Sequence, residues 1–288
     1  MFGVSGISLP VIASRGCPYS CFFCAQASPF QNVRVRSIGN VVDEMEYLVD
    51  RFGVTMTGLA DCMFPLNKKM GMDFCQALID RGIHKKACWI TEMRVDMAEP
   101  ELLKAMKDSG IVQIAYGVES GNEQTLKRIG KKFQLEDARR AIRLTKEAGI
   151  CTCAFFMLGF PGETSSSCRD TIRFAKELDT DFAKFNIAVP YPGTPFFDTW
   201  WDGEPENLEY HKFSAWFFPK NGDTLLHVPE GMTQKELLKF QHLAMAVFWI
   251  RPSKIFHHLK NRSLSLGVMW KGFKAMILSM YDSFRHSG

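Results

Sequence analysis

Between Ile7 and Trp201 the chain alternates short apolar runs with longer stretches whose apolar residues recur every three or four positions. This alternation predicts repeated strand–helix units and a parallel sheet, because a strand covered on both faces reads as a continuous apolar run while its crossover helix shows one apolar stripe. The predicted strands are Ser8–Ala13, Val54–Ala60, Ala87–Met93, Val112–Val118, Thr152–Leu158 and Phe182–Val189. The predicted helices are Val41–Arg51 behind an Asn40 cap, Met72–Arg81, Pro100–Ser109, Leu135–Ala148 and Ser165–Leu178. Gly110 and Gly149 stand where helix-terminating glycines belong. Six such units can curl into an open α/β structure, a partial (βα)6 TIM-like barrel, with a doubly wound sheet as the alternative of equal periodicity. The loops at the C-terminal ends of the strands are then expected to carry the chemistry.

After Tyr210 the pattern changes, which divides the chain into a core over residues 1–202 and a mostly helical extension over 203–288. Phe213, Trp216, Phe217 and Phe218 form an aromatic stretch without clear period that ends at Pro219 and the Asn221-Gly222-Asp223 turn. Thr233 and Glu236 are spaced as a capping box for a helix to about Ile250, and Arg251-Pro252 breaks it. Beyond it, Leu266, Trp270, Phe273, Ile277, Met280 and Phe284 share one helix face flanked by Lys271, Lys274 and Arg285. Such a face suits either packing on the open side of the barrel or lying on an anionic membrane surface.

A chain of 288 residues with 46% hydrophobic content can fill a real core. Its formal net charge of +4 is too small and too dispersed to argue for nucleic acid. The basic excess is local: seven Lys/Arg against one acid, Asp282, between Arg251 and Gly288. No apolar run approaches the roughly 18 residues of a membrane span, and Met1 to Gly6 lacks the basic start and long apolar stretch of a signal peptide. Nine cysteines are an odd number for a disulfide framework and point to a reducing cytoplasm.

Three of those cysteines stand apart. Cys17, Cys21 and Cys24, in Arg15-Gly16-Cys17-Pro18-Tyr19-Ser20-Cys21-Phe22-Phe23-Cys24, form a C-x3-C-x2-C run directly after the first predicted strand. Three thiolates at this spacing can hold three irons of a four-iron cluster and leave the fourth iron open. Half of a zinc site is the competing reading, but it needs a second Cys/His pair at short spacing, and the adjacent His257 and His258 suit one ligand at most. Cys75, Cys88, Cys151, Cys153 and Cys168 show no ligand spacing; Cys151 and Cys153 share one side of a strand and read as small core residues.

The cysteine run, with Phe23 just before its last member, resembles the signature of the radical S-adenosylmethionine (radical SAM) superfamily. The resemblance covers most of residues 8–201 and is closest to the radical SAM half of cobalamin-binding members, a group that includes hopanoid-modifying enzymes and the anaerobic cyclase of bacteriochlorophyll synthesis. Its phrases are Ile12-Ala13-Ser14-Arg15-Gly16-Cys17-Pro18, Val41-Val42-Asp43-Glu44, Thr91-Glu92-Met93-Arg94-Val95-Asp96, Gly117-Val118-Glu119-Ser120-Gly121, Phe156-Met157-Leu158-Gly159-Phe160-Pro161-Gly162-Glu163-Thr164 and Pro190-Tyr191-Pro192-Gly193-Thr194.

The resemblance implies a [4Fe–4S] cluster on the three cysteines, SAM at its open iron, and reductive cleavage to a 5′-deoxyadenosyl radical. It places Asp61 near the SAM ammonium, Arg94 near its carboxylate, Glu119, Ser120 and Gly121 near its ribose, and Gly159, Gly162 and Glu163 beside its adenine. Plainer readings stand beside these: an Arg94–Asp96 ion pair, a solvent-facing Glu119, and a glycine turn opening a helix at Gly159 to Gly162. Cys62 follows Asp61 where relatives often carry a second acid; it is a buried small residue or a thiol facing the substrate. The expected partners are a flavodoxin- or ferredoxin-type electron donor and a small-molecule or lipid-like substrate, without nucleic acid. The expected location is anaerobic cytoplasm, at the membrane periphery if the C-terminal stripe binds lipid. Relatives carry a cobalamin-binding domain before the first strand, so cobalamin is expected only through a missing domain or a partner. An iron–sulfur redox relay and an inactive fragment of a cobalamin-dependent methyltransferase are the competing functions.

Overall fold

The computed structural model describes residues 6–27, 32–203, 208–214 and 223–260, together with positions 267 and 274. In chain order the elements are β1 (Ile7–Val11), β2 (Ser14–Arg15), β3 (Arg34–Val35), α1 (Ile38–Phe52), β4 (Val54–Leu59), α2 (Lys68–Asp80), β5 (Cys88–Met93) and α3 (Pro100–Asp108). They continue with β6 (Ile111–Glu119), α4 (Glu123–Arg128), α5 (Leu135–Glu147), β7 (Cys151–Leu158), α6 (Ser165–Leu178), β8 (Phe182–Ile187), α7 (Pro195–Trp200), α8 (Gln234–Trp249) and α9 (Pro252–Lys260).

Six strands pair in the order β1-β4-β5-β6-β7-β8, every neighbour parallel. A doubly wound sheet would reverse direction at a switch point. Here the order never reverses, so the right-handed crossovers fall on one face and the sheet curls into a half-barrel. The six expected strands are all present, with ends displaced by one or two residues. The ribbon of β2 and β3, and helices α4 and α7, are additions to the predicted set.

Side chains alternate across the sheet. Trp89, Met93, Ile114, Tyr116, Ala154 and Phe156 turn outward and are buried under the helices. Phe64, Phe74 and Trp89 meet edge-to-face, and the Trp89 indole N–H donates to the Ser109 carbonyl at 3.1 Å, so this bulky side chain is buried without an orphan donor. The other face retains solvent access at Ile90, Glu92, Gly117, Phe155, Met157 and Lys184. This is the concave face.

The N-cap of α1 is Ser37, whose hydroxyl accepts the Asn40 N–H at 3.3 Å, rather than Asn40. Asn40 instead accepts from Arg36 Nε at 2.7 Å, which leaves the cap to the other suitable residue. Thr233 and Glu236 form the expected capping box of α8, which ends at Ile250, and Pro252 opens α9. Gln241 of α8 donates to the Phe185 carbonyl at 2.9 Å on the edge strand β8, and Phe248 packs on the Phe185 ring. The stripe from Leu266 to Phe284 and the residues Trp216, Phe217 and Phe218 lie outside the described residues. No helix among the described residues is long and apolar enough to cross a membrane.

Candidate active site

The cysteine loop leaves the C-terminal end of β1 and is fastened at several points. Gly16 takes φ 85°, and a Cβ there would meet the Asn32 carbonyl oxygen at 3.2 Å, so the tight entry to Cys17 demands glycine. Phe22 donates its N–H to Ile129 O at 3.0 Å, accepts from Phe196 N at 3.1 Å, and stacks on Phe196 with ring centroids 5.5 Å apart. Phe23 lies 5.1 Å from the Phe160 ring. The two aromatic residues are thus the loop's anchors. Cys17, Cys21 and Cys24 are half-buried, and all nine cysteines are thiols. Among the described residues no three Cys, His, Asp or Glu side chains crowd round a point as a single metal ion requires. A four-iron cluster makes a different demand, since each thiolate meets its own iron. Three thiols spread along one anchored loop fit it.

Asp61, just past β4, ties that strand to the loop. Its Oδ2 accepts the Ala13 N–H at 2.9 Å, and its Oδ1 accepts from the Ser14 N–H and hydroxyl. Both oxygens therefore already serve the backbone that leads into the cysteines. Cys62 sits beside the same loop: burial and the charge of Cys17 raise its thiol pKa, and the Gly16 N–H offered to its sulfur lowers it in part. Arg94 makes the plain ion pair, with Nε to Asp96 Oδ1 at 2.9 Å and Nη2 to Oδ2 at 2.8 Å. Its guanidinium also lies 3.8 Å above the Tyr19 ring, so Arg94 clamps the loop between two cysteines.

Glu119 ends β6 at φ 68°, a left-handed conformation that a Glu adopts at a cost. Far from facing solvent, it is buried, and its Oε1 accepts from Lys131 Nζ at 3.0 Å. Lys131 donates again to the Gly117 carbonyl at 3.1 Å and lies 6.0 Å from the Phe23 ring. Burial would lower the Lys131 pKa; the Glu119 carboxylate and the Cys21 thiol outweigh it and hold the ammonium above its ordinary value. Burial raises the Cys21 thiol, and Lys131 pulls it back down. A fixed positive charge thus stands between the ribose candidate and the central cysteine.

Ser120 and Gly121 point to packing. The Ser120 hydroxyl lies 3.1 Å from Thr171 Oγ1, which also accepts the Gly121 N–H at 3.0 Å. A Cβ on Gly121 would strike Phe174 Cβ at 2.5 Å and the Asp170 carbonyl at 2.7 Å. Its missing side chain admits α6 rather than a ligand. Gly159 and Gly162 take φ 94° and 70° in the turn before α6, where Leu237 of α8 and the Arg128 guanidinium occupy the space a Cβ would need. Glu163 folds back on this turn, and its Oε2 accepts from Gly159 N at 2.7 Å and Phe160 N at 3.1 Å. Its Oε1 is buried without a partner among the described residues, and burial pushes the carboxyl pKa up to about 7.

Tyr19 and Lys131 lie at the cysteine loop, and Glu92 and Lys184 on the concave face, although the sequence reading did not single them out. Glu92 is open to solvent within the concavity but surrounded by protein on most sides; burial raises its pKa and Lys184 lowers it. Cys151 and Cys153 do share the concave side near Phe182 and Trp249, and burial raises the Cys153 thiol to about 12, which keeps it inert.

A curled parallel half-barrel with a cysteine loop after β1, a buried lysine–carboxylate pair at the end of β6 and a glycine turn after β7 collects its polar groups at the C-terminal mouth, where enzymes of the barrel class carry their sites. The family model for the Radical SAM superfamily matches residues 11–175, and the chain belongs to that superfamily. It is 35% identical over 234 residues to the anaerobic magnesium-protoporphyrin IX monomethyl ester cyclase of Cereibacter sphaeroides, an alignment covering 81% of this chain and 37% of that one. An uncharacterized methyltransferase of Pyrococcus horikoshii is 35% identical over 185 residues, covering 64% of this chain and 40% of its own. The chain thus spans only 37% and 40% of these two relatives. Among solved structures, the radical S-adenosylmethionine methyltransferase TsrM of Kitasatospora setae, with cobalamin and a [4Fe-4S] cluster bound, superposes with a TM-score of 0.66 at 20% identity, covering 85% of this chain and 52% of that one. At that identity the likeness establishes the fold.

Proposed function

We propose that Cys17, Cys21 and Cys24 hold a [4Fe–4S] cluster and that the chain cleaves SAM reductively, as a radical SAM enzyme acting on a substrate in the concavity. The observation that carries this is the convergence of the anchored cysteine loop and the buried Lys131–Glu119 pair at the C-terminal ends of β1 and β6. When bound, the cluster and SAM together supply a 5′-deoxyadenosyl radical. The protein's part is orientation and exclusion of water. Lys131 offers a fixed ammonium to a carboxylate, and Glu119 offers hydroxyl groups an acceptor. Asp61 and Arg94 hold the loop, directly and through Tyr19. Phe23 and Phe160 wall the mouth beside the Gly159 turn.

A flavodoxin- or ferredoxin-type donor supplies the electron in this reading. Cobalamin-dependent methyl transfer is the second reading, supported by the likeness to TsrM, and cobalamin would come from a further domain or a partner. Membrane contact depends on the C-terminal stripe, which lies outside the described residues, and a lipid-like substrate rests on the family resemblance alone.

Anaerobic reconstitution, reduction and chromatographic detection of 5′-deoxyadenosine test the proposal. Product should form with the intact chain and vanish with Cys21→Ala. An assembled, reducible cluster that leaves SAM intact would favour the redox relay.

A further inference from the structure

Two buried cations flank Cys21, and each meets the loop at an aromatic residue between Cys21 and a neighbouring cysteine. Toward Cys17 that residue is Tyr19, and the Arg94 guanidinium lies 3.8 Å above its ring. Toward Cys24 it is Phe23, and Lys131 Nζ lies 6.0 Å from its ring centroid. The side chains of Arg94 and Lys131 are each only 9% exposed, so water screens neither charge well. Each cation has a carboxylate partner, yet the loop receives a net positive field. Asp96 is 36% exposed, so solvent weakens its charge more than that of Arg94. Glu119 is as buried as Lys131, but at Cys21 the lysine prevails: burial raises the thiol pKa, and against that rise Lys131 lowers it by more than Glu119 raises it, with Arg94 lowering it further. Asp61, the acid at the entry to the loop, spends both oxygens on Ala13 and Ser14. Holding two cations out of water here carries a desolvation cost that apolar side chains would not. Anchorage alone does not require it, because Phe22 and Phe23 already fasten the loop to Ile129, Phe196 and Phe160.

We infer that Arg94 and Lys131 raise the reduction potential of the cluster carried by Cys17, Cys21 and Cys24, and so set how strong a reductant its donor must be. The inference rests on the cluster reading of these cysteines. Reduction moves one electron from the donor to the cluster, with no bond made or broken, and adds a negative charge to a group already held by three thiolates. Fixed positive charge beside it favours the reduced form, and the net charge around an iron–sulfur cluster is one of the levers on its potential. At the effective dielectric constant of about 20 that describes buried sites, unit charges about 10 Å apart interact strongly enough to move a one-electron equilibrium about tenfold. For one electron, tenfold is about 59 mV.

The experiment is a potentiometric titration of the anaerobically reconstituted protein, without SAM, followed by the electron paramagnetic resonance signal of the reduced cluster. Arg94→Gln and Lys131→Gln should each disfavour reduction about tenfold, moving the midpoint about 59 mV more negative. Arg94→Lys and Lys131→Arg keep the charge and should stay near wild type. Asp96→Asn should move the midpoint the other way, because an arginine keeps its charge whatever faces it. Loss of packing alone does not give shifts of opposite sign. Midpoints unmoved in Arg94→Gln and Lys131→Gln overturn the inference and confine the two cations to gripping SAM or the loop. A negative shift in Asp96→Asn matching that of Arg94→Gln overturns it as well. If Lys131→Gln fails to load iron, Arg94→Gln and Asp96→Asn decide, since their ion pair is partly open to water. A wild-type chain that assembles no four-iron cluster sinks the radical SAM reading itself, a result distinct from an assembled cluster whose potential ignores these charges.

Discussion

Lys131 donates to Glu119 Oε1 at 3.0 Å, and each side chain keeps only 9% of its surface exposed. Removing one partner strands a buried charge. Lys131→Met should therefore destabilise the fold by about 3–5 kcal/mol, while the double variant Lys131→Met/Glu119→Gln should recover part of that loss. Urea unfolding of the four proteins in the cycle measures the coupling; strictly additive losses would show that the pair does not interact.

Asp61→Asn should loosen the entry to the cysteine loop. An amide side chain has one acceptor oxygen where the carboxylate uses two, so it cannot satisfy the Ala13 and Ser14 amides together. Each charged hydrogen bond contributes about 1.5–3 kcal/mol. Amide exchange at Ala13 or Ser14 should accelerate about tenfold or more, and protection equal to wild type at both would refute the fastening role.

Replacing Cys17, Cys21 or Cys24 singly by Ala should reduce reconstituted iron from about four per chain to near none, because a cluster held by two thiolates is labile. Cys62→Ala should leave iron loading intact, since Cys62 stands beside the loop rather than in its spacing. Iron analysis with electron paramagnetic resonance distinguishes the cases. Full loading of any single-site variant of the three would displace that cysteine as a ligand.

Glu163 makes stability fall as pH rises. Burial lifts its folded pKa to about 7 from an ordinary 4.5, so between those values the folded protein binds more protons than the unfolded chain. Its contribution is therefore fully favourable below pH 4.5 and is lost as pH climbs through about 7. The drop has an upper size of about 3 kcal/mol. Glu163→Gln removes it, so the wild-type minus variant stability should decline across this range; a constant difference would argue that the carboxyl is ionised throughout.

The strand–helix alternation is readable because each strand is apolar and each crossover helix carries one buried stripe; strand ends fall within one or two residues of expectation, while α1 and α2 begin three and four residues earlier than expected. Short elements escaped. Helix α7 begins with Thr194 as cap and Pro195 at its first position, a start signal present in the sequence, yet its six residues hold too little periodicity to register. Lys131 was invisible for a different reason. Only the left-handed turn at Glu119 and the path through α4 bring it back beneath β6, and neither is a property of local sequence. Gly121 shows the opposite failure. A glycine in a strand-end loop fits ligand approach and helix packing equally well, and the contact with α6 decides between them only in three dimensions.

The positive φ of Glu119 bears on how this protein responds to laboratory evolution. A non-glycine residue held there costs about 1–3 kcal/mol, which Asn or Gly would largely refund. A library screened on heat resistance alone should therefore enrich Gly or Asn at position 119 and at the same time accumulate changes that neutralise Lys131. The survivors would be robust, well-folded barrels without the charge placed beside Cys21. Screening such a library needs a cofactor-dependent readout from the first round, because thermal selection and chemistry pull this residue in opposite directions.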